Sequence, residues 1–443
     1  IYKIWSILEN FTQKELLSPD LNQQEKAIDE RLKKSDFFVS LNYMMKKYFD
    51  KAGYTFLPEN AKWEIKKGGN YYTTRNNSSI LAFQVGEELS DYHFQITAAH
   101  SDSPTYKVKA VPEMEAPGEH LKLNVEGYGG MIDSTWFDKP LSLAGRVREN
   151  GNIVNKLFNI DKDILMIPNV AIHLNREVNN GYAYNKQVDL LPLFSAGELK
   201  KGDFDKMIAE ELGVKVEDIV AKDLFLVNRQ RQCIWGYKDE FVSTPKLDDL
   251  QCAFTSMKAF LDSKNPKAIN VCAVFDNEEV GSNTKQGAMS TFMKDALKRI
   301  NASLGFGTDE YHQAVAKSFL VSCDNAHAVH PNHPELYDPT NRTFMNKGIV
   351  IKEAANQKYT TDAFSRSILR KILEKKNIPY QTFANRSDIA GGSTLGNLSN
   401  TAVSMNAVDI GLPQLAMHSA YETAGTKDVG YAFDTLKAFF ETN

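Results

Sequence analysis

The sequence predicts an α/β fold in which a mixed, mainly parallel sheet is flanked by helices, together with an inserted β-rich domain. Three observations lead to this prediction. The 443 residues exceed what one hydrophobic core usually supports, which favours two domains. From residue 244 onward, apolar runs alternate with helical patterns, as in a sheet covered on both faces. Between residues 105 and 240, short strands and turns dominate instead.

A helix and two strands are predicted at the start of the chain. A helix N-cap at residues 35–36 precedes apolar residues at helical spacing, and Gly53 stops the helix. Apolar runs at residues 80–83 and 93–99 are typical of buried strands. The second run ends abruptly at a polar segment that begins with His100.

Residues 105–240 are predicted to form the inserted β-rich domain and to mediate dimerisation. Residues 1–104 and 241–443 would then form the catalytic α/β domain. A polar turn at residues 149–152 is typical of a β-hairpin. The other elements predicted in the insert are strands at residues 165–167 and 170–172 and a helix at residues 203–212.

Buried strands and helices alternate in the last part of the chain. Residues 271–275 and 319–323 are continuous apolar runs of the kind found in strands buried on both faces. Helices are predicted at residues 248–262, 286–301, 362–376 and 428–440.

Composition excludes several classes of protein. A net charge of −4, from 52 basic and 56 acidic residues, lacks the basic excess of a nucleic-acid-binding protein. No apolar run approaches the roughly 18 residues that would span a membrane. Residues 1–11 lack the features of a signal peptide, which favours a cytoplasmic location. The four cysteines form no C-x-x-C pair, and Cys272 and Cys323 lie in apolar runs, which fits buried thiols in a reducing compartment.

Polar clusters rich in metal-ligand residue types lie at or just beyond the ends of apolar runs. They are His100-x-Asp102, Asp248-Asp249, Asp276-Asn277-Glu278-Glu279 and Asp324-Asn325, and a late His418 follows them. Ligands of open α/β sheets gather outside the carboxyl ends of the strands, so we expect these clusters to converge. Histidine and carboxylates without cysteine are suited to Zn²⁺, Mn²⁺ or Co²⁺ in a hydrolytic site.

The Glu278–Glu279 pair offers two different carboxylate functions. Neighbouring residues at a strand end face different ways, so one side chain can bind a metal while the other acts on a water molecule. The alternative is a solvated acidic loop. Asp102 shares a side with His100 and can orient it as a ligand, although a surface histidine beside a turn aspartate is the alternative. Asp248 and its neighbour also fit acids that complement a helix dipole.

Two further motifs fit a binding site less well. Residues 391–396 are glycine-rich, but they lack the Lys-Ser/Thr ending of a phosphate loop. His327, His330 and His333 are three residues apart, but nearby prolines prevent a helix. We therefore interpret the three histidines as part of a positioned loop.

Together these motifs resemble the signature of the aspartyl aminopeptidase family. The resembling segments run in order along most of the chain, at residues 98–104, 136–138, 171–176, 245–250, 276–282, 324–331, 391–396 and 417–419. The resemblance implies a zinc-exopeptidase-like catalytic domain and an aminopeptidase that releases Asp and Glu from peptide N-termini. The alternatives are another metallohydrolase of the same clan, such as a deacylase or carboxypeptidase, or a catalytically idle shell or cargo-binding protein.

The resemblance also implies two divalent metal ions per chain, with zinc preferred over manganese or cobalt. One ion would be held by His100 and Asp324 and the other by Glu279 and His418, and Asp248 would bridge them.

Further residues receive roles from the same resemblance. Glu278 would be the general base, and Asp102 would orient the first histidine ligand. Lys352 would face the acidic side chain of the peptide substrate. His173 would reach the active site of a neighbouring subunit in a homo-dodecamer. Tyr421 departs from the family pattern, which commonly has a basic residue there, and this departure bears on fine substrate preference.

Overall fold

The computed structural model describes residues 41–149 and 155–442. The predicted N-cap at residues 35–36 and most of the predicted turn at residues 149–152 lie outside the described residues. Within the described part, the chain forms eight α-helices and twenty β-strands.

The strands are, in chain order, β1 (Thr55–Phe56), β2 (Asn70–Arg75), β3 (Ser79–Val85), β4 (Phe94–His100), β5 (Thr105–Ala116), β6 (His120–Tyr128), β7 (Leu141–Glu149), β8 (Asn155–Asn159), β9 (Leu193–Ser195), β10 (Ile219–Asn228), β11 (Cys233–Trp235), β12 (Phe241–Thr244), β13 (Ile269–Phe275), β14 (Phe319–Cys323), β15 (Ala326–His327), β16 (Ile349–Glu353), β17 (Tyr380–Ala384), β18 (Asn406–Gly411), β19 (Pro413–Leu415) and β20 (Glu422–Gly425). The helices are α1 (Leu41–Lys51), α2 (Asp203–Leu212), α3 (Leu247–Leu261), α4 (Phe292–Ser303), α5 (Thr308–Lys317), α6 (Ala363–Lys376), α7 (Leu395–Ala402) and α8 (Thr426–Phe440).

The largest sheet has nine strands in the order β1-β2-β3-β13-β4-β14-β18-β16-β17. Its centre, from β13 through β4 and β14 to β18, is parallel. Antiparallel pairs lie on both sides of this centre, at β2–β3, β3–β13 and β16–β18. The prediction of a mixed, mainly parallel sheet is confirmed.

Two hydrophobic cores cover the two faces of this sheet. Along β13, Cys272 and Val274 pack into the core that contains α1, α3, α6 and α8. Val271 and Ala273 point to the opposite face, where they pack with α4, α5 and α7. This alternation explains why the central strands are apolar throughout, because both faces of each strand are buried.

A second sheet contains the strands between residues 105 and 228. Its six strands run in the order β8-β7-β10-β5-β6-β9, and every pair in it is antiparallel. It has its own core, to which α2 contributes Phe204 and Ile208. The boundaries of an inserted domain at residues 105–240 stay a prediction.

The prediction of a strand at residues 170–172 is wrong, because this segment lies in a turn. Asn169 donates its backbone and side-chain N–H groups to the carboxylate of Asp138 and so redirects the chain. Val170 and Ile172 are about half exposed, so they find no partner strand here.

A third sheet was not foreseen from the sequence. It has five short strands in the order β11-β12-β20-β19-β15. These strands are two to four residues long, too short to show periodicity.

The predicted helices in the last part of the chain are found with small shifts. The helix predicted at residues 286–301 begins later, at Phe292, because a series of turns precedes it. Asp362 caps α6 by accepting a hydrogen bond from the N–H of Ser365. Helices α5 and α7 were missed.

Candidate metal centre

Three of the polar clusters meet at one edge of the large sheet. His100 is the last residue of β4, Asp276 follows β13, and Asp324 follows β14. These three strands are adjacent and parallel, so their carboxyl ends point the same way. The convergence expected from the sequence therefore follows from strand order.

The five-stranded sheet brings in the remaining residues. Its strand β12 leads into Asp248, and His418 lies in the connection between β19 and β20. The same sheet includes β15, which begins two residues after Asp324. Short strand pairings therefore place residues that are 170 positions apart in the sequence beside each other.

Asp248 lies between the two histidines. Its Oδ1 is 3.4 Å from Nε2 of His100, and its Oδ2 is 3.4 Å from Nε2 of His418. Nε2 of His418 is also 3.3 Å from Oε2 of Glu279. Asp248 is buried, whereas the side chain of His418 is partly open to solvent.

All five predicted ligands belong to groups compact enough to hold a cation. In each group, one potential ligand atom per residue lies within 4.8 Å of the others. The groups are His100, Asp248, Asp249 and Asp324; His100, Glu278 and Glu279; and Asp248, Glu279 and His418. His100, Asp248 and Glu279 each belong to two of these groups, so the three groups form one continuous cluster.

Asp249 is an additional member that the sequence argument did not assign. Its Oδ2 accepts a hydrogen bond from the backbone N–H of His100 (3.1 Å), and the residue is completely buried. The peptide bond between Asp248 and Asp249 is cis. Both aspartates lie in the first turn of α3, but their burial among ligand-type groups sets them apart from exposed acids that complement a helix dipole.

The residues present fit divalent cations. Among the described side chains, Oδ1 of Asp248, Oδ1 of Asp249 and Oε1 of Glu279 are buried without a hydrogen-bond partner. Buried negative charges cost much free energy unless a cation or proton compensates them. The two histidines compensate Asp248 in part, and His418 compensates Glu279 in part, whereas Asp249 forms no ion pair with a described side chain. Imidazole nitrogens and carboxylate oxygens are also the donor set that zinc binds in hydrolytic sites.

The pKa values describe a cluster that, without metal, holds protons tightly. Burial, followed by repulsion from neighbouring acids, raises the pKa of Glu278 to about 8. Burial likewise raises the pKa of Glu279 and of Asp249 well above the usual range. Burial alone would raise the pKa of Asp248 too, but His100 and His418 outweigh it and lower that pKa.

Asp102 organises the segment that carries the two glutamates. Its Oδ1 accepts the backbone N–H of Glu278, and its Oδ2 accepts that of Glu279, both at 3.1 Å. Nδ1 of His100 lies 3.1 Å from the Asp102 carbonyl oxygen and 3.5 Å from Oδ1. Tyr128, at the end of β6, donates its hydroxyl to Oδ2 (2.8 Å). No sequence motif pointed to Tyr128, whose partner is 26 residues away.

Lys352 lies inside the protein next to one predicted ligand. It is 3% exposed, and its ammonium nitrogen is 3.6 Å from Oδ1 of Asp324. The same nitrogen donates a hydrogen bond to the carbonyl oxygen of Asn325 (2.7 Å).

His173 is not brought into the cluster of its own chain. It lies exposed in a turn of the segment that follows Asn169. The interpretation of three histidines as part of one loop holds only in part. His327 ends β15, whereas the rings of His330 and His333 are 5.2 Å apart and His333 pairs with Glu335 beyond that strand.

The α/β fold and this cluster of ligand-type side chains define a candidate metal-dependent hydrolase. The chain belongs to the aminopeptidase I zinc metalloprotease family (M18), which matches residues 32–440. The family resemblance predicted from the motifs is thereby confirmed.

Two relatives illustrate the similarity. The chain is 46% identical over 404 residues to a probable M18 family aminopeptidase 2 of Clostridium novyi, covering 89% of this chain and 93% of the relative. It is 37% identical over 420 residues to aspartyl aminopeptidase 1 of Schizosaccharomyces pombe, covering 88% of each.

Solved structures share the fold. A chain in the cryo-EM structure of the Ape4 and Nbr1 complex matches with a TM-score of 0.86 and 35% identity, covering 90% of this chain and 82% of that chain. A chain of the Saccharomyces cerevisiae mApe1 dodecamer matches with a TM-score of 0.78 and 24% identity, covering 90% and 92%. None of the helices in the described ranges has the length and apolar character needed to cross a membrane.

Proposed function

We propose that this chain is an aminopeptidase that releases acidic residues from peptide N-termini with two divalent ions, zinc in preference to manganese or cobalt. The observation that carries the proposal is the position of Asp248, whose two carboxylate oxygens each lie 3.4 Å from Nε2 of a different histidine. A carboxylate placed in this way supports a bridging role in a two-metal hydrolase.

The proposed ligands form two pairs, and Asp248 would be shared by both. His100 and Asp324 would hold one ion, and Glu279 and His418 would hold the other. When bound, such ions supply Lewis-acid polarisation of the scissile carbonyl and lower the pKa of an attacking water. Asp249 lies next to the first group, where its buried carboxylate adds negative charge for the cation.

Glu278 is the proposed general base. The backbone N–H of Glu278 donates to Asp102, and this bond leaves the carboxylate of Glu278 available. The carboxylate would accept the proton lost by the attacking water and deliver it to the nitrogen of the departing peptide. Asp102 would contribute by holding Glu278, Glu279 and His100 in position.

Preference for acidic residues is proposed to depend on Lys352. Its ammonium is buried beside Asp324, so an acidic substrate side chain entering next to Asp324 would meet a positive charge in a poorly solvated environment. The name of the S. pombe relative, an aspartyl aminopeptidase, supports this preference.

A homo-oligomer is part of the proposal. The turn that carries His173 exposes apolar side chains, with Leu174 83% exposed and Ile172 46% exposed, which favours burial against another subunit. The dodecameric assembly of mApe1, a protein of the same fold, supports a dodecamer. In such an assembly His173 would complete the site of a neighbouring subunit, as the family resemblance implies.

One experiment separates this function from its alternatives. The assay uses aminoacyl-anilides of Asp, Glu, Ala and Lys, N-acylated amino acids for deacylase activity, and peptides that report release of the C-terminal residue. Each substrate is assayed after chelation and after stepwise return of each metal. Release of Asp and Glu that depends on two equivalents of metal is expected. Cleavage of acylated or C-terminal substrates alone would indicate a deacylase or carboxypeptidase. Absence of any turnover with both metals bound would indicate an idle shell protein.

A further inference from the structure

Glu422 connects two ligand segments through their backbones. Its Oε2 accepts a hydrogen bond from the N–H of Asp248 (3.0 Å), and its Oε1 accepts one from the N–H of His418 (2.7 Å). The residue is 2% exposed. A single buried carboxylate therefore joins the main chain of the central aspartate to the main chain of the late histidine.

The five-stranded sheet determines this placement. Glu422 begins β20 and pairs with Thr244, the last residue of β12, four positions before Asp248. His418 lies in the turn that leads into β20 and has a φ of 66°. A left-handed conformation costs a residue other than glycine some free energy, so specific hydrogen bonds help to hold the turn. The bond to Oε1 of Glu422 is one of these, and Nδ1 of His418 at 2.6 Å from the Gly130 carbonyl is another.

We propose that Glu422 is a positioning residue of the metal centre. By fixing the backbones of Asp248 and His418 relative to each other, it sets the affinity for the ion that these two residues share with Glu279. The inference rests on the proposed function, because the ligand roles belong to that proposal. Both oxygens of Glu422 face backbone N–H donors, so the residue acts through the ligands. Outer hydrogen-bond partners of metal ligands typically contribute about 10–100-fold in affinity.

The variant Glu422→Gln tests this role with little change of shape. The side-chain oxygen of glutamine can accept one N–H, but its NH₂ group then faces the other N–H, so one of the two bonds is lost. We expect the affinity for one of two Zn²⁺ equivalents to fall roughly 10–100-fold. The other equivalent should lose less, because Asp248 is the only one of its proposed ligands whose backbone Glu422 holds. The measurement is a Zn²⁺ titration of the chelated full-length protein against a competing indicator.

A matched control exists in Asp428→Asn. Asp428 is also a buried carboxylate that accepts two backbone N–H groups, from Asn346 (2.5 Å) and Gly348 (3.0 Å). We expect this variant to lose thermal stability but to bind both equivalents with unchanged affinity. An equal loss of affinity in both variants would overturn the inference, because the loss would then reflect general destabilisation.

The possible failures are distinguishable. If Glu422→Gln binds both equivalents as tightly as the wild type, Glu422 does not position the ligands, although the proposed function stands. If the wild type itself binds no Zn²⁺ tightly, the proposed function fails first. Should Glu422→Gln not fold, Glu422→Asp keeps the charge but shortens the reach, and wild-type affinity for both ions in that variant would equally refute the inference.

Discussion

Lys352 and Asp324 form a buried pair, with the ammonium nitrogen 3.6 Å from Oδ1 of the carboxylate. Burial alone would lower the pKa of Lys352, but Asp324 outweighs it and holds the pKa above the ordinary value. The lysine therefore keeps its charge. That charge can attract an acidic substrate side chain, or it can stabilise the carboxylate of Asp324.

Substrate preference separates these two roles of Lys352. We expect Lys352→Ala to reduce kcat/KM for Asp-peptides roughly 10–100-fold more than for Ala-peptides, because a hydrogen bond between charged groups contributes about 1.5–3 kcal/mol. The assay compares both substrates while metal content is measured on the same samples. Equal losses on both substrates, accompanied by loss of metal, would show that Lys352 acts on Asp324 instead.

Substitutions of Glu278 and Glu279 are expected to affect turnover and metal content differently. Glu278→Gln cannot accept a proton, so turnover should fall by about 10²–10⁴ while two metal equivalents remain bound. Glu279→Gln should lose one equivalent first and activity as a consequence, since Glu279 lies 3.3 Å from Nε2 of His418. Metal analysis combined with single-turnover rates distinguishes the two. The opposite pattern would mean that the two roles are exchanged.

Removal of metal should make stability strongly dependent on pH. Without metal, burial raises the pKa of Glu278 to about 8 and those of Glu279 and Asp249 well above normal. The folded chain then binds protons more tightly than the unfolded chain, so stability declines as pH rises from the ordinary carboxyl pKa of about 4 toward 8. The raised pKa values of His100 and His418 act in the same direction.

Thermal unfolding of chelated and metal-loaded protein measures this effect. Between about pH 5 and about pH 8.5, Tm of the chelated protein should fall more steeply, since cations replace the protons in the loaded protein. Parallel Tm curves for the two forms would contradict the assignment of these acids to a metal centre.

Tyr128 provides a test of the contact between the antiparallel sheet and the glutamate segment. Its hydroxyl donates to Asp102 (2.8 Å) and accepts from the side chain of Asn277 (2.7 Å). Tyr128→Phe removes both bonds. It should reduce kcat roughly three- to tenfold, the value of about 1 kcal/mol for the bond to Asp102, without loss of metal. Tyr106→Phe is the control, because Tyr106 lies in β5 of the same sheet as Tyr128, donates its hydroxyl to Asp133 (2.6 Å) and should affect stability alone. Equal kcat in Tyr128→Phe and wild type would refute the expectation.

The sequence predicted the elements whose signals are local. Continuous apolar runs predicted β13 and β14. The polar residues Asp276 and Asp324 directly follow these strands, so their position at the carboxyl ends of the sheet could be predicted as well. The helix at residues 203–212 was predicted with its observed bounds, since its apolar residues recur at helical spacing.

The missed features depend on contacts between distant residues. Strands β12, β19 and β20 are too short for periodicity, so neither the five-stranded sheet nor the position of Glu422 could be foreseen. The apolar residues 170–172 imitate a strand, yet Val170 and Ile172 are about half exposed in a segment without a partner strand among the described residues. That Lys352 faces the substrate stays a prediction. Its pairing with Asp324 could not be foreseen, because the pairing depends on the register between β16 and β18.

His173 tests whether sites are shared between subunits. The residue is exposed in a turn and lies outside the ligand groups of its own chain. If it contacts the substrate of a neighbouring subunit, His173→Ala should lower kcat/KM about tenfold or more, the effect of losing one hydrogen bond to a charged group. His120→Ala is the matched control, because His120 is also exposed, lies in β6 between residues 105 and 240, and should have no effect.

Mixed oligomers show whether His173 contributes to the active site of its own chain or to that of a neighbouring subunit. Chains carrying Glu278→Gln are co-expressed with chains carrying His173→Ala, and oligomers that contain both are isolated through two different affinity tags. A site that combines Glu278 of one chain with His173 of its neighbour is intact in some of these oligomers, so activity should exceed that of either variant alone. If His173 instead served its own chain, every site would lack one of the two residues, and the mixed oligomers would show no more than the residual activity of the His173→Ala chains.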